Sequence, residues 1–163
     1  MSEHPTLFSA TLMGTYEDFI EKFEEGEQYK KDSEGLTLLE TALCNTNDDE
    51  RYKIVNFLIN KGADVKVKRD GASVFSELFY YGRDDIIKTT ILCKTLLEKG
   101  ADMTAIYKPH NTVMFKYIFN YNIPEVEMIP LYELIFSQEG LKILMKDKWN
   151  LSVLDFARKG KNI

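Results

Sequence analysis

The stretch from Ile54 to Leu78, IVNFLINKGADVKVKRDGASVFSEL, holds a helix end, an exposed turn and the start of the next helix. Ile54, Val55, Phe57, Leu58 and Ile59 recur at helical rather than alternating spacing, so one face of this segment must bury. Lys61 then stands in the last turn, where it complements the carbonyl end of the helix dipole, and Gly62 supplies the left-handed backbone of a C-cap. Asp70-Gly71 follows eight residues later as a second turn signal. The arrangement returns as Lys99-Gly100-Ala101-Asp102 with Asn111, and more weakly as Glu139-Gly140 with Asn150. Lys61 and Lys99 are 38 residues apart, and the turn residues Gly35, Gly71, Asn111 and Asn150 are separated by 36, 40 and 39. A near-constant period with two helical runs per unit is the signature of stacked repeats, and predicts an all-α solenoid of about five helix-pair units in one domain, 1–163.

Aligned on the turn, the first helices read TLLETAL from Thr37, SVFSELF from Ser73, VMFKYIF from Val113 and SVLDFAR from Ser152. Leu39, Leu58, Phe75, Leu96 and Phe115 take equivalent inward positions. Residues 6 to 25 read as a further helix pair, with Thr15 and Asp18 as a capping box and Gly26 ending the second helix. The run Asp84 to Lys99 reads as the longest helix. Between 108 and 140, Asn122-Ile-Pro-Glu and Pro130 predict an irregular connection and then a helix beginning near Pro130. The unit from Asp147 offers one helix, ending near Lys159-Gly160, and serves as a cap.

The segment NFLINKGADV, followed by an Asp-Gly turn and a Ser-started helix, resembles the ankyrin repeat, and KTLLEKGADM repeats the match. The family's TPLH start stands here as TLLE, SVFS, VMFK and SVLD, and each unit exceeds the family's length of about 33 residues. In ankyrin repeats the partner-contacting positions flank the turn and end the first helix. The resemblance places them at Ser33, Glu34, Leu36 and Asn45 in one unit, and at Arg69, Asp70, Ala72, Tyr80 and Tyr81 in the next. It adds His110, Thr112, Asn120 and Tyr121, then Lys148, Trp149 and Leu151. Among these, Arg69, Asp70, Tyr80, Tyr81, His110, Tyr121, Lys148 and Trp149 are the candidate partner-binding residues, because Tyr, Trp and Arg dominate interface energetics.

The rest of the sequence argues by exclusion. No apolar run approaches the ~20 residues of a membrane span, and no basic-then-apolar leader opens the chain, so a soluble cytoplasmic protein is expected. Cys44 and Cys93 sit inside apolar helical runs and read as reduced thiols. His4 and His110 lie near no nucleophile motif, no glycine-rich phosphate loop occurs, and no Cys or His cluster has metal spacing. Catalysis, cofactor and metal binding are therefore not expected. Asp48-Asp49 and Asp84-Asp85 precede helices, where carboxylates cap rather than catalyse. A net charge of −5 with one short basic patch at Lys66, Lys68 and Arg69 disfavours nucleic acid.

A protein partner remains, and its sign is legible. Residues 1 to 50 carry 13 acids against 3 bases, whereas residues 51 to 163 carry 13 acids against 18 bases. Such an acidic half steers basic proteins such as a toxin or nuclease. A small ankyrin-like chain without an appended domain is similar to an immunity protein that neutralises a toxin. A scaffold or host-directed adaptor that recruits without inhibiting is the alternative. A monomer is expected when no partner is bound.

Overall fold

A computed structural model describes residues 6–80 and 84–160. The chain is mostly helical, with two small two-stranded sheets. Helices α1 (Leu7–Met13) and α2 (Tyr16–Lys22) come first, then α3 (Leu38–Leu43) and α4 (Asp48–Asn60). The hairpin β1 (Lys68–Arg69) and β2 (Ala72–Ser73) leads into α5 (Phe75–Tyr80) and α6 (Ile86–Glu98). A second hairpin, β3 (Ile106–Tyr107) and β4 (Thr112–Val113), leads into a 3-10 helix (Met114–Asn120), then α7 (Glu125–Phe136) and α8 (Val153–Gly160). One apolar cluster runs from Phe19 to Val153 and contains all five inward positions, Leu39, Leu58, Phe75, Leu96 and Phe115.

The Lys-Gly-Ala-Asp segments end α4 and α6 by the same physics. Gly62 N–H donates to the Ile59 carbonyl at 3.0 Å and Ala63 N–H to that of Leu58 at 3.0 Å. Gly100 and Ala101 repeat both bonds onto Leu97 and Leu96 at 2.9 Å each. This double closure needs a left-handed residue, and Gly62 and Gly100 have φ of 84° and 92°. The Asp64 and Asp102 carboxylates then accept from the N–H groups of Lys66 and Thr104, both at 2.8 Å, which turns the chain toward the hairpin.

The tips differ in design: the second hairpin closes through a 3-10 turn, Lys108–His110, between Tyr107 and Thr112. In the first hairpin Arg69 faces Ala72 across the two-residue loop Asp70-Gly71, both at positive φ, the turn that matches strand twist. At the first turn a single antiparallel bridge joins Lys31 and Thr37, and at the last no strand forms among the described residues. Asp32 accepts from Glu34 and Leu36 N–H at 2.8 and 2.9 Å, and Asp147 accepts from Trp149 and Leu151 N–H at 2.9 and 3.0 Å. Successive tips are stitched together: Lys108 N–H donates to the Asp70 carbonyl at 2.8 Å, and Lys148 N–H to that of His110 at 3.0 Å.

Four sequence expectations are corrected. Gly26 does not end α2, which stops at Lys22; its φ of 99° instead opens a short 3-10 turn, Glu27–Tyr29. α6 is not the longest helix, because α4 also has 13 residues. The run Met114–Asn120 is 3-10 rather than α, and no side chain caps its start: Val113 stands where Thr37 caps α3. Finally, α7 does not begin at Pro130 but at Glu125, with Pro124 at its N-cap and Pro130 inside. The missing Pro130 N–H frees only the carbonyl four residues earlier, at Val126, on an exposed stretch where water can take it.

A candidate protein-binding groove

The hairpin tips and the helices that follow them line a groove of about 560 Å³. Glu34, Arg69, Asp70, Tyr107, His110 and Trp149 line it from the turns. Cys44, Ser76, Glu77, Tyr80, Met114 and Tyr117 line it from the helices. Of the eight candidate residues, Arg69, Asp70, Tyr80, His110 and Trp149 meet here. Lys148 stands beside the groove with its Nζ 4.4 Å from the centre of the Trp149 ring. Tyr121 packs against the core and donates its hydroxyl to the Phe79 carbonyl at 3.3 Å, outside the groove lining. Tyr81 lies outside the described residues. Asn45 is taken up internally: it is buried and its Nδ2 donates to the Thr11 and Gly14 carbonyls.

Aromatic rings form the walls. Tyr80 meets Tyr117 edge-on at 5.4 Å, and Tyr107, His110 and Trp149 follow one another at 5.0 and 4.9 Å. Tyr80 and Trp149 are 56% and 54% exposed, so each presents a large ring surface at the groove. Rings in such half-wet positions suit interfaces, since each has a polar atom and an apolar face.

The floor is charged. Arg69 reaches Glu77 Oε1 at 2.9 Å and Glu40 Oε1 at 3.7 Å, so one guanidinium serves two buried carboxylates. Glu40 is already committed, accepting from Thr37 N–H and hydroxyl at 2.8 and 2.9 Å as the capping box of α3. Glu77 accepts from the Ser76 hydroxyl as well as from Arg69. Burial, with a smaller push from Glu40, holds the Glu77 carboxyl above the usual carboxylate range despite Ser76 and Arg69. At the other end, Lys116 and Asp147 form a buried pair at 2.9 Å, and the Lys116 ammonium lies 4.3 Å from the centre of the Phe156 ring. Burial works against the Asp147 charge, but the Leu151 and Trp149 N–H groups and Lys116 outweigh it and bring its pKa down. Desolvation, with Lys148 and Lys116 nearby, lowers the His110 pKa.

Sequence reasoning missed Cys44, Ser76, Glu77, Tyr107, Met114 and Tyr117 as groove residues. The signal was present for two of them: Ser76 and Glu77 lie four and three residues before Tyr80, the spacing of one helix face. The described residues contain no group of three or more His, Cys, Asp or Glu side chains able to hold a metal ion. None of their helices is long and apolar enough to cross a membrane.

No family model matches the chain, and no curated protein does. Among solved structures it is similar to a functionally unknown protein from Leptotrichia buccalis C-1013-b, at 52% identity and a TM-score of 0.87. The match covers 99% of this chain and 89% of that one. The chain belongs to the same family as the Leptotrichia protein.

Proposed function

We propose that the chain is a non-enzymatic protein-binding module, built as an ankyrin-like solenoid of helix-pair units, whose groove captures a basic protein in the cytoplasm and neutralises it as an immunity protein does its toxin. The observation that carries the reading is the groove rimmed by Tyr80 and Trp149, two large rings half open to solvent on the surface formed by the turn tips and first helices. Such anchors around a desolvated centre are where binding energy concentrates. The acidic first 50 residues supply a field that attracts a basic partner over distance.

The test is parallel co-purification of the wild-type chain and a Tyr80→Ala/Trp149→Ala variant of equal melting temperature from the native cell. A protein retained by the first and lost by the second is then expressed alone and together with the chain. Toxicity that the wild type suppresses and the variant does not is expected. Equal retention by both would remove the groove from the interface, and retention without suppression would leave recruitment as the function.

A further inference from the structure

We infer that the Trp149 end of the groove receives one carboxylate side chain, Asp or Glu, from a loop of the protein partner, held by the Lys148 ammonium, the His110 imidazole and the Trp149 indole N–H. This rests on the protein-binding reading and specifies what one end of the groove selects.

Three donors gathered about one ring are the first ground. The Lys148 Nζ lies 4.4 Å and the Lys116 Nζ 5.8 Å from the centre of the Trp149 ring, and the His110 ring meets the same indole at 4.9 Å. The tip bond from Lys148 N–H to the His110 carbonyl, at 3.0 Å, holds the two residues against each other. Lys116 is already paired with Asp147, and both Asp147 oxygens are taken, one by Lys116 and the other by the Trp149 and Leu151 N–H groups. Among the described residues no carboxylate pairs with Lys148 or His110. No group there accepts from the Lys148 ammonium, the His110 imidazole or Trp149 Nε1.

The sign of the field is the second ground. Desolvation, then Lys148 and Lys116, lower the His110 pKa against the opposing pull of Asp147, so near neutral pH the imidazole is uncharged and offers one N–H. One ammonium with two neutral donors matches a monoanion. A phosphate dianion suits the bidentate fork of an Arg cluster instead, and the groove's guanidinium, Arg69, is engaged with Glu77 and Glu40. Elsewhere in the groove the chain's own cations meet its acids, since the Lys108 side chain lies against Gly71 beside Asp70. Glu34, Asp70 and Glu77 there repel a further anion, which leaves the incoming carboxylate one seat. A partner of net positive charge is compatible with this contact. The acidic first 50 residues draw it over distance, the carboxylate acts only in the bound state, and the two opposite signs fix its direction along the groove. The volume, about 560 Å³, accommodates the side chain with the loop that carries it.

A displayed library of cyclic peptides, selected on the full-length wild-type chain, tests the inference. Trp149 is the one tryptophan of the sequence, so its fluorescence reports occupancy, and with two histidines in the chain the His110 ring can be followed by NMR. The expected ligands share Asp or Glu at one fixed position. Replacing that residue by Asn or Gln should weaken binding about ten-fold or more, and Lys148→Gln at the exposed tip should do the same with unchanged melting. The acidic peptide should raise the His110 pKa, because a carboxylate at the ring favours the imidazolium, and its amide counterpart should not. Groove ligands without an acidic residue, or acidic ligands indifferent to the amide exchange and to Lys148→Gln, would overturn the carboxylate inference and leave the binding function standing. An essential acidic residue that leaves the His110 pKa unmoved would seat the carboxylate elsewhere and overturn it too. Selection that yields no ligand sensitive to Trp149→Ala would overturn both.

Discussion

The two ends of the groove bury charge in opposite ways. At the Trp149 end, Lys116 and Asp147 are paired one to one with side chains 2% and 1% exposed, and the spare Asp147 oxygen is consumed by the turn it braces. At the Tyr80 end, Glu77 shares a 43% exposed Arg69 with Glu40 and stays protonated to a higher pH than a free carboxylate. The first arrangement is closed and fixes a surface ring in place. The second divides one partly exposed cation between two buried carboxylates. Removing one partner of a buried ion pair strands the other charge, whereas solvent screens a shared and partly exposed cation.

This contrast can be broken at either end. The largest effect should come from Asp147→Ala, which strands the Lys116 ammonium and removes the turn acceptor. A loss of about 3–5 kcal/mol is expected by chemical denaturation, and a loss below about 1 kcal/mol would mean that the pair does not hold the turn. Phe75→Ala, in the core beneath the groove, should cost about 3 to 5 kcal/mol as well. An unchanged melting temperature there would contradict the packing of α5.

Next in size is the rim. Cutting Trp149 or Tyr80 to Ala should weaken partner binding by about 2 kcal/mol or more, read by calorimetry, with little change in stability. Lys53, on the outer face of α4, serves as the neutral control.

A smaller effect separates the two carboxyls by pH. Asp147 has a depressed folded pKa, so its stabilisation is complete above the ordinary carboxylate range and is lost as pH falls through the lower folded value. Glu77 has a raised folded pKa, so its ionisation works against folding, and stability is regained as pH falls from that raised value to the ordinary range. Melting curves of Glu77→Gln against wild type should therefore converge as pH drops from 7 toward the ordinary carboxylate range, while Asp147→Asn and wild type stay apart there. His110, facing Lys148, Lys116 and Asp147, has a lowered pKa, so it gains its charge at lower pH than an ordinary imidazole.

The smallest effect is the long-range field. Neutralising Glu24, Glu25 and Glu27 together should slow association and flatten its salt dependence in stopped-flow experiments, with dissociation nearly unchanged.

Local physics was readable from residue order wherever one residue type has one backbone solution. Gly62 and Gly100 as helix terminators, Thr15 with Asp18 as a capping box, Asp70-Gly71 as a turn and the buried positions Leu39, Phe75 and Phe115 all follow from spacing and steric permission. The same reasoning found eight of the groove residues, Glu34, Leu36, Arg69, Asp70, Ala72, Tyr80, His110 and Trp149, because they flank the turns and end the helices that follow them. It failed at α7, where Pro130 lies inside the helix and the carbonyl left without its N–H partner, at Val126, is on an exposed stretch. It also failed at Met114–Asn120, which is 3-10 with no side chain capping its start. The charge sharing between Arg69, Glu40 and Glu77 spans residues 29 to 37 positions apart, as does the Lys116–Asp147 pair at 31. Only Arg69 with Glu77 is closer, at eight positions along the chain. Which carboxylate is compensated depends on distances of a few ångströms between successive units, and on how far burial removes water from each. Periodicity places such residues on a common face, but tertiary packing decides which of them pair and which face outward to a ligand.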